Sequence, residues 1–167
     1  MTSVYRIIDS FLRNNTQILI ITGSAGTGKT TSIRKIIENL NHDEIPYYLL
    51  APTGRAAQNL WNHVGDIAQV ACQTIHSFLY QPSESDKNSE DIIRFDIKEL
   101  PIDSNAVVII DEASQSDISS LAILYMGKKL IIVGDDKQVS PMAIGVEMES
   151  INRLRETYID GKIPNAH

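Results

Sequence analysis

Residues 23–30 read GSAGTGKT, with glycine, glycine, lysine and threonine at the first, sixth, seventh and eighth places. That spacing restricts the fold more than any other feature of the chain. The glycines let a loop close around an anion with its backbone N–H groups, and a helix opening at the lysine aims its positive end at the same point. The flanks supply the context this requires. Ile18–Ile21 is a short, mostly β-branched apolar run, and apolar residues recur at helical spacing from Lys29 to Leu40. Strand, glycine-rich turn and helix in that order predict a phosphate cradle made by Gly23, Ser24, Ala25, Gly26, Thr27, Gly28, Lys29, Thr30 and Thr31. Within it Lys29 can reach β- and γ-phosphates, and the Thr30 hydroxyl can ligate Mg2+. The plainer reading is a glycine-rich turn that happens to precede a helix; four constrained positions in this context weigh against it.

The same alternation continues along the chain. Tyr47–Ala51, Val107–Ile110 and Leu130–Val133 read as further strands, the last two apolar throughout. Helical spacing marks residues 3–14, Gly54–Val64, Ile118–Met126 and Glu147–Tyr158, with a shorter helix over Thr74–Tyr80. Apolar strands alternating with helices predict an α/β fold, a mainly parallel sheet covered by helices on both faces. In such sheets ligands bind beyond the carboxyl ends of the strands. Residues 81–91 (QPSESDKNSED) are polar and turn-rich, while Ile93, Phe95 and Ile97 alternate with charged residues as in a half-exposed strand. Residues 81–105 are therefore a candidate loop or hairpin insertion in a single domain spanning residues 1–167.

Composition sets outer limits. With 167 residues and 43% hydrophobic content the chain can bury a core without a disulfide or metal staple. The lone cysteine, Cys72, cannot form an internal bridge and fits a reducing compartment. No apolar run approaches the ~18 residues of a membrane span, and the first residues lack a secretory pattern, so the expected address is cytoplasmic, with no membrane partner. The net charge of −6 argues against non-specific coating of a phosphate backbone. Residues 82–117 hold ten of the acids against three bases, which leaves a local nucleic-acid groove open elsewhere.

Two strand ends carry acids. Asp111 and Glu112 follow the Val107–Ile110 run, where a carboxylate can hold Mg2+ through water beside the Thr30 hydroxyl. Asp111 is assigned to the metal and Glu112 to an attacking water, as general base. A pair of solvated acids at a strand end is the alternative. Leu130–Val133 runs into GDDKQ at 134–138, where Gln138 can position water or contact a γ-phosphate, or where the acids and lysine simply form a turn.

Taken together, these segments resemble the first motor domain of superfamily 1 helicases, especially the RecD-like branch. GSAGTGKT at 23–30 matches the family's motif I, APTGRAA at 51–57 motif Ia, and TIHSFL at 74–79 the next nucleic-acid motif. DEAS at 111–114 matches motif II and GDDKQVSP at 134–141 motif III, all in the family's order. The resemblance implies a RecA-like P-loop NTPase fold, with Lys29 and Thr30 holding ATP and Mg2+, Asp111 the metal, Glu112 the water, and Gln138 sensing the γ-phosphate. It also implies that Thr53, Gly54, Arg55, Thr74 and His76 contact the backbone of single-stranded nucleic acid, DNA being favoured. Such contacts position a strand without reading its sequence, as a translocating motor requires. Trp61 can stack a base, but a place on the core face of its helix is the expectation. The glutamine with which many relatives read adenine has no match near residues 2–5, and Gln17 lies too close to the P-loop to serve.

The family also uses a second RecA-like domain, which brings arginines to the γ-phosphate and completes the nucleic-acid track. After Pro141 come 26 residues with no later helicase motif, and Arg153 and Arg155 match no arginine finger. A finger is worth 10³–10⁵ in rate in related chemistry, so the expectation is a motor half, an incomplete ATPase on its own. Two other classes compete. A non-catalytic nucleotide- or nucleic-acid-binding module would keep the cradle as a relic. A small-molecule kinase would need a lid with several arginines, and between Arg55 and Arg153 the chain has only Arg94.

Overall fold

The computed structural model of the chain describes residues 2–24, 26–82, 95–98, 103, 105–116, 123 and 128–135. In chain order the elements are α1 (Thr2–Arg13), β1 (Ile18–Thr22), α2 (Lys29–His42), β2 (Tyr47–Ala51), α3 (Gly54–Val64), β3 (Cys72–Thr74) and α4 (Ile75–Leu79). They are followed by β4 (Tyr80–Pro82), β5 (Phe95–Ile97), β6 (Val107–Ile110), a single 3-10 turn (Ala113–Gln115) and β7 (Lys129–Gly134). The main sheet has the order β1-β7-β6-β2-β3, with every pairing parallel. β4 and β5 form a separate antiparallel pair.

The central strands explain why helices lie on both faces. All four residues of β6 are buried, and successive residues point to opposite sides. Val107 and Ile109 join Leu49, Ile131 and Val133 in a cluster closed by Ile8 and Phe11 of α1, Ile33, Ile36 and Ile37 of α2, and Leu60 and Val64 of α3. Val108 and Ile110 turn the other way, with Leu50 and Leu130, onto Ile75, Phe78 and Leu79 of α4 and onto Ile123. Each such aliphatic side chain contributes about 1.5–3 kcal/mol on full burial. The predicted α/β sandwich is thus the fold observed. Lys129 ties α1 to the sheet: its ammonium donates to the carbonyls of Phe11 (2.6 Å), Asn14 (2.8 Å) and Thr16 (3.0 Å).

Departures from the sequence reading are local. The edge strand β3 has no counterpart in it, because three residues with only Cys72 apolar carry no periodic signal. α2 continues two residues beyond Leu40 to His42. Trp61 is not on the core face of α3. That face is Ala56, Ala57, Leu60 and Val64, and Trp61 flanks it, 39% exposed. The helices predicted over Ile118–Met126 (apart from Ile123) and Glu147–Tyr158 lie outside the described residues.

Register decides what the sheet can do. Because β1, β7 and β6 are neighbours, the segments leaving their carboxyl ends converge, and Gly23 N–H donates to the Gly134 carbonyl (3.3 Å) just past the last β1–β7 pair. On the other side Ala51 of β2 stands opposite Thr74 of β3, so the starts of α3 and α4 are also side by side.

Candidate nucleotide site and nucleic-acid face

The loop after β1 is shaped by two glycines. Gly26 and Gly28 take φ of 79° and 89°, left-handed values that favour glycine, and open space lies where a Cβ would stand on either. Gly28 is the residue before α2, so the helix begins at Lys29 with its first N–H groups facing the loop. Thr27 Oγ1 donates to the Ser24 carbonyl (2.8 Å) and closes the turn. Lys29 folds over it, donating to the carbonyls of Gly23 and Ser24, the latter at 3.0 Å, with its Nζ 3.9 Å from the buried Asp135 carboxylate.

Opposite stands the acidic pair. Asp111 is buried at the end of β6, its N–H held by the Leu50 carbonyl (3.0 Å). Burial pushes its carboxyl above the ordinary aspartate range, and the charge of Glu112 pushes the same way. The Glu112 N–H (3.0 Å to Oδ1) and the charges of Lys29 and His63 oppose that shift. Glu112 has φ 52° and ψ 35°, a conformation costing a residue with a side chain about 1–3 kcal/mol and found mostly at functional sites. Gln115 holds it there, with its N–H on the Glu112 carbonyl (2.9 Å) and its side-chain amide on Oε2 (2.6 Å).

These groups share a cleft of about 410 Å³ lined by Gly26, Gly28, Lys29, Thr30, Thr31, His63, Asp111, Glu112, Ser114, Gly134 and Asp135. Volume alone does not mark it, since a hollow of about 440 Å³ at the opposite ends of the strands gathers Glu44, Pro46, Asp103 and Lys128 with no convergent chemistry. What marks the cleft is its donor set. An open loop of N–H groups, an ammonium, a hydroxyl and a buried carboxylate fit a polyphosphate with a hard divalent cation. Thr30 and Asp111 are the groups that could hold the cation, and Lys29 with the 23–31 loop the phosphates.

The structure therefore gathers Lys29, Thr30, Thr31, Asp111 and Glu112, named from the sequence, around one cavity. It adds three residues that sequence reasoning missed there. Asp135 lies inside the GDDKQVSP match, where a plain turn was the alternative, and its burial after β7 sets it apart. His63 belongs to no motif, and Ser114, the last residue of the DEAS match, was given no role of its own. Ala25 and Gln138 lie outside the described residues. Gln17 sits before β1, at the end away from the loop, with its carbonyl accepting from Leu130 N–H (2.7 Å). Cys72 is half-buried beside this region, its thiol pushed up to about 11, by burial first and by the Asp111 charge second.

The residues named for a nucleic-acid strand form a second group, exposed except for the half-buried Thr74. Thr53 and Thr74 are the N-caps of α3 and α4: Thr53 Oγ1 accepts from Ala56 N–H (3.1 Å) and Thr74 Oγ1 from Ser77 N–H (3.0 Å). Gly54 and Arg55 open α3 at the surface. His76 is exposed, its ring 4.9 Å from those of Tyr80 and Phe95, so the β4–β5 pair packs against it.

A family model described as an AAA domain matches residues 8–143, most of the chain and both groups of residues. The chain belongs to that family. The RecBCD enzyme subunit RecD of Buchnera aphidicola subsp. Schizaphis graminum is 34% identical over 149 residues, covering 75% of this chain and 23% of that protein. The ATP-dependent RecD2 DNA helicase of Deinococcus radiodurans is 26% identical over 146 residues (84% and 18%), and the ATP-dependent DNA helicase dda of Enterobacteria phage T4 30% over 149 (86% and 32%). Its AAA domain is of the RecA-like motor type found in the RecD branch of superfamily 1 helicases. It spans about a fifth of the length of the first two relatives. No helix among its described residues is long and apolar enough to cross a membrane.

Proposed function

We propose that this chain is the ATP-binding and hydrolysing motor domain of an ATP-dependent DNA helicase, residues 1–167 acting as one RecA-like unit with an insertion at 81–105. The observation that carries this is Glu112, held in a strained backbone conformation beside the buried Asp111 and across the cleft from Lys29.

In this reading the backbone of Gly23–Thr31 and the Lys29 ammonium bind the triphosphate, and Thr30 and Asp111 hold Mg2+. When bound, the cation neutralises charge on the phosphate oxygens. Lys29 leaves its loop carbonyls for the phosphates. Glu112, its carboxylate aimed by Gln115, orients water and takes its proton. Gln138 senses the γ-phosphate. Thr53, Gly54, Arg55, Thr74 and His76 track the backbone of a single DNA strand. Among the described residues lining the cleft the basic ones are Lys29 and His63, with no arginine, which supports a need for a second RecA-like domain to supply one.

The test is the ATPase rate of the 167-residue chain with and without single-stranded DNA, beside Glu112→Gln. The expected result is slow hydrolysis with little stimulation, reduced about 10²–10⁴-fold in the variant while nucleotide still binds. Turnover that Glu112→Gln leaves intact would overturn the assignment. Strong DNA-stimulated turnover by the chain alone would overturn the need for a second domain.

A further inference from the structure

His63 stands in the cleft without belonging to any motif. It lies on the last turn of α3, exposed, and lines the cavity with Thr30, Thr31, Asp111 and Glu112. It is held both at the ring and at the backbone. Nδ1 is 2.6 Å from the Asn59 carbonyl. A carbonyl only accepts, so Nδ1 carries the ring proton, and Nε2 of the neutral imidazole is left as an acceptor. Its backbone is tied to the helix that carries Thr30: Arg34 of α2 donates to the His63 carbonyl (2.9 Å) and grips the Asp66 carboxylate with both terminal nitrogens (2.7 and 2.5 Å). The ring and the Asp111 carboxylate face the same cavity.

We propose that His63 is a positioning residue of this site, whose Nε2 accepts a hydrogen bond from the hydration shell of the divalent cation held by Thr30 and Asp111. The assignment rests on the nucleotide–metal reading above and adds a residue to it. The choice of partner follows from donor chemistry. Phosphate oxygens of a nucleotide are acceptors and offer nothing to an unprotonated nitrogen, whereas water polarised by a cation is a strengthened donor. Outer ties of this kind orient a metal site, and their loss typically costs 10–100-fold in metal affinity.

The measurement is a Mg2+ titration of fluorescent ATP-analogue binding to the 167-residue chain, to His63→Ala and to His63→Gln, each repeated in EDTA. The Mg2+ concentration giving half-maximal binding should rise about tenfold in His63→Ala. Binding in EDTA and the thermal midpoint should stay unchanged, and His63→Gln, which keeps an acceptor, should recover most of the loss. A His63→Ala midpoint equal to the parent's, or a loss of equal size with and without metal, overturns the assignment while leaving the nucleotide reading intact. Failure of glutamine to recover the loss overturns the acceptor role. A parent chain that binds the analogue in neither condition overturns the nucleotide reading itself, and this assignment with it.

Discussion

The carboxyl edge of the sheet is divided between two kinds of surface. Beyond β1, β7 and β6 the chain buries Asp111 and Asp135, twists Glu112 into a left-handed conformation and leaves an open glycine loop beside them. Beyond β2 and β3 the residues named for DNA are exposed, apart from the half-buried Thr74, and the two threonines sit comfortably as helix caps. The first half stores strain and desolvation; the second is an ordinary, well-satisfied surface. Chemistry on a phosphoanhydride needs groups fixed before the substrate arrives, since reorganising them would add to the barrier. A strand that must be gripped and released repeatedly needs contacts that cost little to make or break. The difference in local energetics is what a motor's two duties would require of one sheet edge.

The sharpest way to separate the halves is Arg55→Ala. Arg55 is exposed at the start of α3 and does not line the cleft, so the expected outcome is several-fold weaker binding of single-stranded DNA with nucleotide affinity unchanged. The plot of log affinity against log salt should become less steep by about 0.7, the signature of one lost phosphate contact on a single strand. Parallel loss of nucleotide binding would mean that the two halves are not separate surfaces.

Thr53→Ala tests the comfort of the second half. Its hydroxyl oxygen already accepts from Ala56 N–H, so removing it should lower the stability of the chain by about 1 kcal/mol whatever happens to DNA binding. Thr53→Ser keeps the cap and should restore stability. If both variants melt like the parent, the cap is not holding α3, and Thr53 is free for a purely functional reading.

The two halves were also unequally legible in the sequence. The cradle and Asp111–Glu112 could be read because their chemistry depends on residues a few positions apart, so that spacing along the chain is spacing in the site. Thr53 and Thr74 could not be resolved, because a residue that caps a helix and one that binds a phosphate are chosen for the same oxygen and the same helix end. His63 was invisible because it reaches the cleft through the packing of α3 on α2, fastened by Arg34, and no local pattern records such a meeting. Asp135 was left open between the GDDKQVSP match and a plain turn, because it follows its strand as any turn residue would, and its burial sets it apart. The fold itself was clear wherever apolar residues run unbroken, as in β6, and unclear in β3, too short to carry a period.

The smallest expected effect bears on the cost of the first half. Burial, before any charge, holds the Asp111 carboxyl above the value it has in the unfolded chain, so the folded state carries a penalty whenever this group is ionised. The penalty is absent below the unfolded value, grows as pH rises toward the folded one, and is complete above it. Asp111→Asn removes it. The variant should therefore melt slightly higher than the parent near neutral pH, with the gain shrinking as pH falls and vanishing in acid below about 4, where the ordinary aspartate titrates. Thermal melts across that range decide the matter. A constant gain at every pH would mean that packing, not charge, is responsible. A loss near neutrality would mean that Lys29, His63 and the Glu112 N–H already outweigh the burial, and that the acidic end of the cleft is as settled as the surface beside it.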